Sequence, residues 1–286
     1  MPEPPEYEES AALLRRIAEL LYTGPQRSEP FPVQEIYDKL SGHGLSIDAA
    51  LKKMERSELI SLDLRGAQID PLGHGKVTFA QNAIAEVVLG RTYIARKFSR
   101  AVVHIIVEKA DGGETGATGF FVSDPPNSLV TAEHVVRNRK ILRLLDDSER
   151  EVPCESPNAR LGPDDLDIAI IECRTPPDVE PIRVEWKRRA ASPPADLIVL
   201  GYPKIAGVYP GLHHLTAQLQ QVAIEYPSGY DSLIISATQP GCSGGPVLDM
   251  RGFAIGIVKQ ENRLENEEGI SSFFSATPAH YLSKLV

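Results

Sequence analysis

The run Gln239-Pro240-Gly241-Cys242-Ser243-Gly244-Gly245-Pro246 sets one serine hydroxyl inside a glycine-rich turn. Glycine adopts positive φ at little steric cost, so Gly241, Gly244 and Gly245 permit a tight turn that exposes Ser243. A serine hydroxyl is a poor nucleophile at neutral pH and needs an adjacent base. Two upstream segments supply the missing groups: Thr131-Ala132-Glu133-His134-Val135, and Asp167 ahead of Ile168-Ala169-Ile170-Ile171. An imidazole titrates near neutrality and can take the hydroxyl proton and return it. A carboxylate behind it holds the tautomer and stabilises the imidazolium. Asp164 and Asp165 compete with Asp167 for that role. Asp167 is preferred because it directly precedes the apolar run, and the other two read as the turn before it. The backbone N–H groups of Gly241 and Ser243 are the expected oxyanion hole.

Outward from these segments, residues 101–275 read as short β-runs punctuated by Gly, Pro and Asp. Ala101–Glu108 is an apolar strand, and Asp111-Gly112-Gly113 is a turn. Gly116–Val122 is a strand opening on small residues, and Ser128–Ala132 is the strand that delivers His134.

Gly116–Val122, Thr131–Val135, Asp167–Ile171, Gly201-Tyr202-Pro203 and Pro240–Val247 stand in the order and spacing of trypsin-like serine peptidases. The chain order His, Asp, Ser is that of the chymotrypsin-like enzymes. Residues 98–286 most resemble the bacterial HtrA-like branch without its trailing PDZ domain. The resemblance implies an all-β double six-stranded antiparallel barrel, closed by a helix at Pro278–Val286, with the triad between the barrels. It also implies a serine endopeptidase acting on protein or peptide substrates. Some viral relatives use cysteine as nucleophile directly before Gly-Gly. Here Ser243 holds that place and Cys242 precedes it. In many secreted relatives the place of Cys242 is an Asp that pairs with a newly cut N-terminus. A neutral thiol makes no such pair, so activation by clipping is not expected. A partner or the ordering of a loop is the expected trigger.

Ser236-Ala237-Thr238-Gln239, read as the strand before Ser243, is the expected floor of the specificity pocket. It holds no acid for Arg or Lys, so a small or medium apolar P1 residue is expected. Ala237, Thr238 and Gln239 are therefore candidate substrate contacts. Val258, Lys259 and Gln260 are the others, on the edge where a peptide would add as a strand. The remaining histidines (His43, His74, His104, His213, His214, His280) read as structural or exposed.

Residues 9–90 follow a helical period instead. Leu13, Leu14, Ile17, Leu20 and Leu21 form one stripe. Val33 to Leu40 is a second helix, and Ser46 caps a third from Ile47 to about Glu58. Leu59–Asp63, Ala67–Asp70 and Lys76–Phe79 follow as short strand candidates. Residues 1–81 thus resemble a small α+β winged-helix domain, with residues 82–97 as a helical linker to the peptidase domain from 98. Such a domain's third helix can enter a DNA groove. Yet residues 1–88 carry nine Lys+Arg against fourteen Asp+Glu. Phosphate neutralisation needs the opposite balance. A regulatory domain with a protein partner is expected, and nucleic acid is not.

The whole 286-residue chain carries a net charge of −9, which disfavours anionic membranes as well. No stretch approaches eighteen apolar residues, and the acidic N-terminus has no apolar signal core. Three cysteines, Cys154, Cys173 and Cys242, make no disulfide framework. A bacterial protein of the cytoplasm is the expectation. No metal-ligand spacing and no phosphate-binding glycine loop appears, so no cofactor is expected.

Overall fold

The computed structural model describes residues 5–22, 30–40, 47–70, 75–154, 158–163, 165–187, 193–204, 211–225, 229–266 and 269–286. Ser46, Asp164 and residues 188–192 lie outside them. The chain divides into two compact units, Met1–Arg96 and Lys97–Val286.

The first unit runs α1 (Pro5–Tyr22), α2 (Val33–Lys39), α3 (Ile47–Arg56), β1 (Ile60–Asp63), β2 (Gly66–Ile69), α4 (Gly75–Ala80) and α5 (Ile84–Lys97). The apolar stripe of α1 buries Leu13, Leu14 and Ile17 against Ile36, Leu51 and Met54. Helix α3 stops two residues earlier than its pattern implies. Glu58 turns left-handed at φ 55°, and Leu59 N–H reaches back to Met54 O at 3.0 Å, the Schellman arrangement. β1 and β2 form a hairpin, and Phe31 adds to its far edge through two backbone bonds with Ala67. Gly66 is required there, because a Cβ would collide with the Phe31 carbonyl. The expected strand at Lys76–Phe79 is instead helix α4. Gly75, Thr78 and Phe79 are buried at helical spacing while Val77 faces outward. Helix α5 occupies the stretch read as a linker, breaks at Gly90 (φ 73°), and adds Ile84 to this unit's core.

The second unit contains two six-stranded antiparallel sheets. The first takes β3 (Val102–Glu108), β4 (Glu114–Val122), β5 (Ser128–Thr131), β6 (Ile141–Leu145), β7 (Ala159–Leu161) and β8 (Ala169–Glu172), in the order β6-β3-β4-β5-β8-β7. Among the described residues its edge strands β6 and β7 do not pair, so this sheet is an open half-barrel rather than a closed one. Val103, Ile105, Val107, Leu129, Ala169 and Ile171 point into its core, each at alternate positions along a strand. The second sheet takes β9 (Ala195–Gly201), β10 (His213–Glu225), β11 (Tyr230–Ile235), β12 (Pro246–Leu248), β13 (Ala254–Asn266) and β14 (Gly269–Pro278). It closes in the order β10-β11-β14-β13-β12-β9 around Leu197, Val199, Leu219, Ile235, Val247 and Val258. The end of the chain is a single 3₁₀ segment, Ala279–Lys284, with Ala279 and Leu282 buried. The double-barrel chymotrypsin-like fold expected from the sequence is thus present, preceded by a mainly helical unit.

Candidate active site

His134 sits on a one-turn helix, α6 (Glu133–Val136), that follows β5. Val135 and Val136 drive into the first core and so fix the turn's rotation. Asp167 lies just before β8, beside β5 in the sheet. Its φ of 51° is left-handed, a conformation Asp tolerates better than most residues. The Thr277 hydroxyl donates to the Leu166 carbonyl at 2.6 Å and pins the turn from the second barrel.

These supports bring the two side chains together. His134 Nδ1 lies 2.8 Å from Asp167 Oδ2 and 3.0 Å from Oδ1, and the His134 backbone N–H donates to Oδ1 at 2.8 Å. One carboxylate therefore grips both the ring and the backbone of the same residue. The Asp167 side chain is 14% exposed and that of His134 39%, so the acid is shielded while the ring keeps an open side. Asp165, the competing acid, is exposed in the turn.

The Ser243 loop is packed against the strands that carry His134. Thr118 N–H donates to the Ser243 carbonyl at 2.9 Å. A Cβ on Gly244 would overlap Thr118 O and Thr131 Oγ1 and come within 2.8 Å of Ala132 N. Gly244 (φ 83°) is thus the point where the second barrel touches the end of β5. Gly241 (φ 97°) has its own constraint, a Cβ there lying 3.0 Å from Lys204 N and 3.2 Å from Pro203 Cα.

The carbonyls of residues 240 to 243 are all taken. Lys204 N–H donates to Pro240 O at 2.7 Å, and Gly245 N–H to Cys242 O at 2.8 Å. In a trans peptide the N–H points opposite to the carbonyl. The N–H groups of Gly241 and Ser243 therefore face away from those partners. Among the described residues no backbone carbonyl accepts either of them. Two amide donors left unspent beside a serine are a geometry able to receive a developing oxyanion.

Residues 117–257 match the model of the trypsin-like peptidase domain. Solved structures similar to this chain include two of Rv3671c from M. tuberculosis, one of an inactive form and one of the active form. The inactive form gives a TM-score of 0.47 at 21% identity over 67% of this chain and 88% of that one. The active form gives 0.49 at 22% over 67% and 83%. The serine endoprotease from Yersinia pestis gives 0.49 at 20% over 67% and 63%. No curated protein matches the chain significantly.

The candidate substrate contacts of the peptidase domain divide. The segment before the Ser243 loop is not a strand: β11 ends at Ile235, and Ala237–Gln239 run on as irregular chain. Thr238 is buried, Ala237 partly so, and Gln239 is exposed. Val258 was expected on the strand edge with Lys259 and Gln260. Its side chain is in the barrel core, and its N–H and C=O bond Gly245 O (2.9 Å) and Gly244 N–H (2.8 Å). Lys259 follows it on β13, half-buried, and the side chain of Gln260 lies outside what is described.

Cys242 is buried beneath Gly201, with its Sγ 3.0 Å from where a Cβ on that glycine would stand. Burial pushes its thiol up, against the opposing pull of Gln239 and Thr238. A buried neutral thiol is the reverse of an activated nucleophile.

Two supporting groups acquire partners only in the structure. His104 is half-buried and stacks on Tyr202, ring centroids 4.8 Å apart at 13°. Burial, and then Lys204 and Arg143, push its imidazole down to about 4, so it is neutral at physiological pH. Gly116 faces this ring, and a Cβ there would overlap His104 Nε2. Thr118, the other, lies inside the small-residue run that opens β4. A threonine between Ala117 and Gly119 was the available signal, but nothing local says what it bonds.

Proposed function

We propose that this protein is a serine endopeptidase in which Ser243, His134 and Asp167 act as a triad. Ser243 Oγ attacks the scissile carbonyl while His134 takes its proton, and the tetrahedral oxyanion is received by the Gly241 and Ser243 amides. The C–N bond then breaks, and the leaving amine departs with the proton held on His134. Water, deprotonated by the same imidazole, hydrolyses the acyl-enzyme. The observation that carries this reading is the double contact of Asp167 with the ring and backbone of His134. A carboxylate so placed holds Nδ1 protonated and leaves Nε2 free as the base.

The pocket floor Ala237–Gln239 bears no acid, which supports a small or medium apolar P1 residue over Arg or Lys. The N-terminal unit is read as a winged-helix-like regulatory domain with a protein partner. Supporting this are the order α1, Phe31 bridge, α2, α3, β1, β2 and the acidic balance that disfavours DNA. The three cysteines are unpaired, as a reducing compartment such as the bacterial cytoplasm requires. No helix among the described residues is long and apolar enough to cross a membrane.

Labelling by a fluorophosphonate probe tests the core of the reading. Wild type should label covalently, and Ser243→Ala and His134→Ala should not. A well-folded wild type that stays unlabelled overturns it. Cleavage of a peptide library mainly after Arg or Lys would overturn the pocket assignment alone.

A further inference from the structure

We infer that the Thr118 hydroxyl is the positioning group that keeps the oxyanion loop in its receptive conformation. The inference rests on the serine-hydrolysis reading above and names a residue outside the triad and the hole.

Thr118 is wholly buried in the middle of β4, yet every polar group it owns is directed out of its own hairpin. Its N–H donates to Ser243 O at 2.9 Å. Its hydroxyl donates to Gly241 O at 2.8 Å and accepts the Tyr202 N–H at 3.0 Å. Its carbonyl accepts the Thr131 hydroxyl at 2.7 Å. A threonine hydroxyl has one proton to give and lone pairs to receive. Both functions are spent on second-barrel backbone, on the loop and on the segment beside it.

Four consecutive carbonyls, 240 to 243, are thereby clamped in alternation. Lys204 N–H and Gly245 N–H hold Pro240 O and Cys242 O, the carbonyls of the two peptides whose amides line the hole. Thr118 holds the intervening pair, Gly241 O through its hydroxyl and Ser243 O through its N–H. Peptide planes are rigid, so orientation passes from each plane to the next only through φ and ψ. Gly241, at φ 97°, is the residue in this run with least steric resistance to a flip. The Thr118 hydroxyl sits on the carbonyl of that residue. Without it, Gly241 O and Tyr202 N–H lose their partner in a dry interior, a state relieved by rotating the loop. Rotation would turn the Gly241 N–H out of the hole.

The test compares Thr118→Val, which keeps the shape and removes the hydroxyl, with Thr118→Ser, which keeps the hydroxyl. Ser128→Ala serves as a control for losing a buried hydroxyl in the neighbouring strand, since the Ser128 hydroxyl donates to the Pro126 carbonyl and not to the loop. Valine at 118 should lower kcat by about 10²–10³-fold, the usual effect of one lost oxyanion donor, with KM within about threefold. Affinity for a peptide aldehyde, whose adduct needs the hole, should fall in parallel. Serine should restore most of both, and Ser128→Ala should leave kcat nearly unchanged. Amide exchange at Gly241 and Ser243, read in ¹H–¹⁵N spectra, should change in Thr118→Val only. A valine variant with wild-type kcat and exchange overturns the inference, as does an equal loss of kcat in Ser128→Ala. If the valine variant does not fold, Thr118→Ala takes its place under the same readouts. A wild type that neither labels nor hydrolyses would sink the catalytic reading, and the exchange comparison would still decide the role of Thr118.

Discussion

Asp167 and His134 are joined twice, once from the imidazole Nδ1 and once from the backbone N–H, each at 2.8 Å to the same carboxylate. A ring contact alone leaves the imidazole free to pivot about its own χ angles. The second bond fixes the backbone from which the ring hangs, so orientation and tautomer are set together. Replacing Asp167 by Asn keeps the size but places an amide against Nδ1, which favours the wrong tautomer. The expected loss in kcat is about 10³–10⁴-fold, with little change in KM. Asp165→Asn, on the exposed side of the same turn, should leave both unchanged. Steady-state hydrolysis of one peptide substrate by the two variants checks the assignment.

His104 makes the fold sensitive to moderate acid. Its folded-state value of about 4 lies below the ordinary 6.5, so the unfolded chain binds more protons between these limits. The stability it contributes is whole above pH 6.5 and is lost as pH falls toward 4. Allowing for partial exposure, this amounts to about 1–2 kcal/mol. Urea midpoints measured across that window should fall with pH in wild type. They should be flatter in His104→Phe, which keeps a ring against Tyr202 and removes the titration.

Gly244 should tolerate no side chain. A methyl there meets Thr118 O and Thr131 Oγ1 at a positive φ of 83°, against backbone that cannot yield. Gly244→Ala should cost more than about 3 kcal/mol, or abolish folding. Gly112→Ala, at φ 80° with nothing within 4 Å, should cost only the conformational strain, about 1 kcal/mol. Thermal melts of the pair separate steric exclusion from backbone preference.

The three thiols should differ in reactivity. Cys173 is pushed up to about 12, first by burial and then by Cys154 beside it. Cys242 is raised by burial, while Cys154 is partly exposed. Iodoacetamide at pH 8 should therefore modify Cys154 first, with the other two reacting only after denaturation. Mass spectrometry of the alkylated protein gives the order. Fluorophosphonate labelling at Ser243 should survive this alkylation, an outcome a cysteine nucleophile would not allow.

Much of this molecule was legible without coordinates because its signals are local. The glycines around Ser243, the apolar run after Asp167 and the strand ending at Thr131 each declare their conformation within a few residues. The resemblance to trypsin-like peptidases implied two β-barrels, and two six-stranded sheets are present. Misreadings arose where a local pattern had two solutions. Lys76–Phe79 alternates as a strand would, but burial of Gly75, Thr78 and Phe79 together chose a helix. For Val258, placed with Lys259 and Gln260 on a strand edge, no local pattern says what its backbone bonds. Only barrel closure shows its backbone already bonded to Gly244 and Gly245.

The sequence by itself determined the candidate chemical groups, their order and the periods of the two units, since these follow from residue identity and near-neighbour spacing. The tertiary structure alone decided which acid meets His134, why Gly244 must be bare, and that Thr118 bonds a loop 123 residues away. Such contacts are made by groups whose own neighbourhoods are ordinary. They depend on how two sheets meet, and no window along the chain contains both partners.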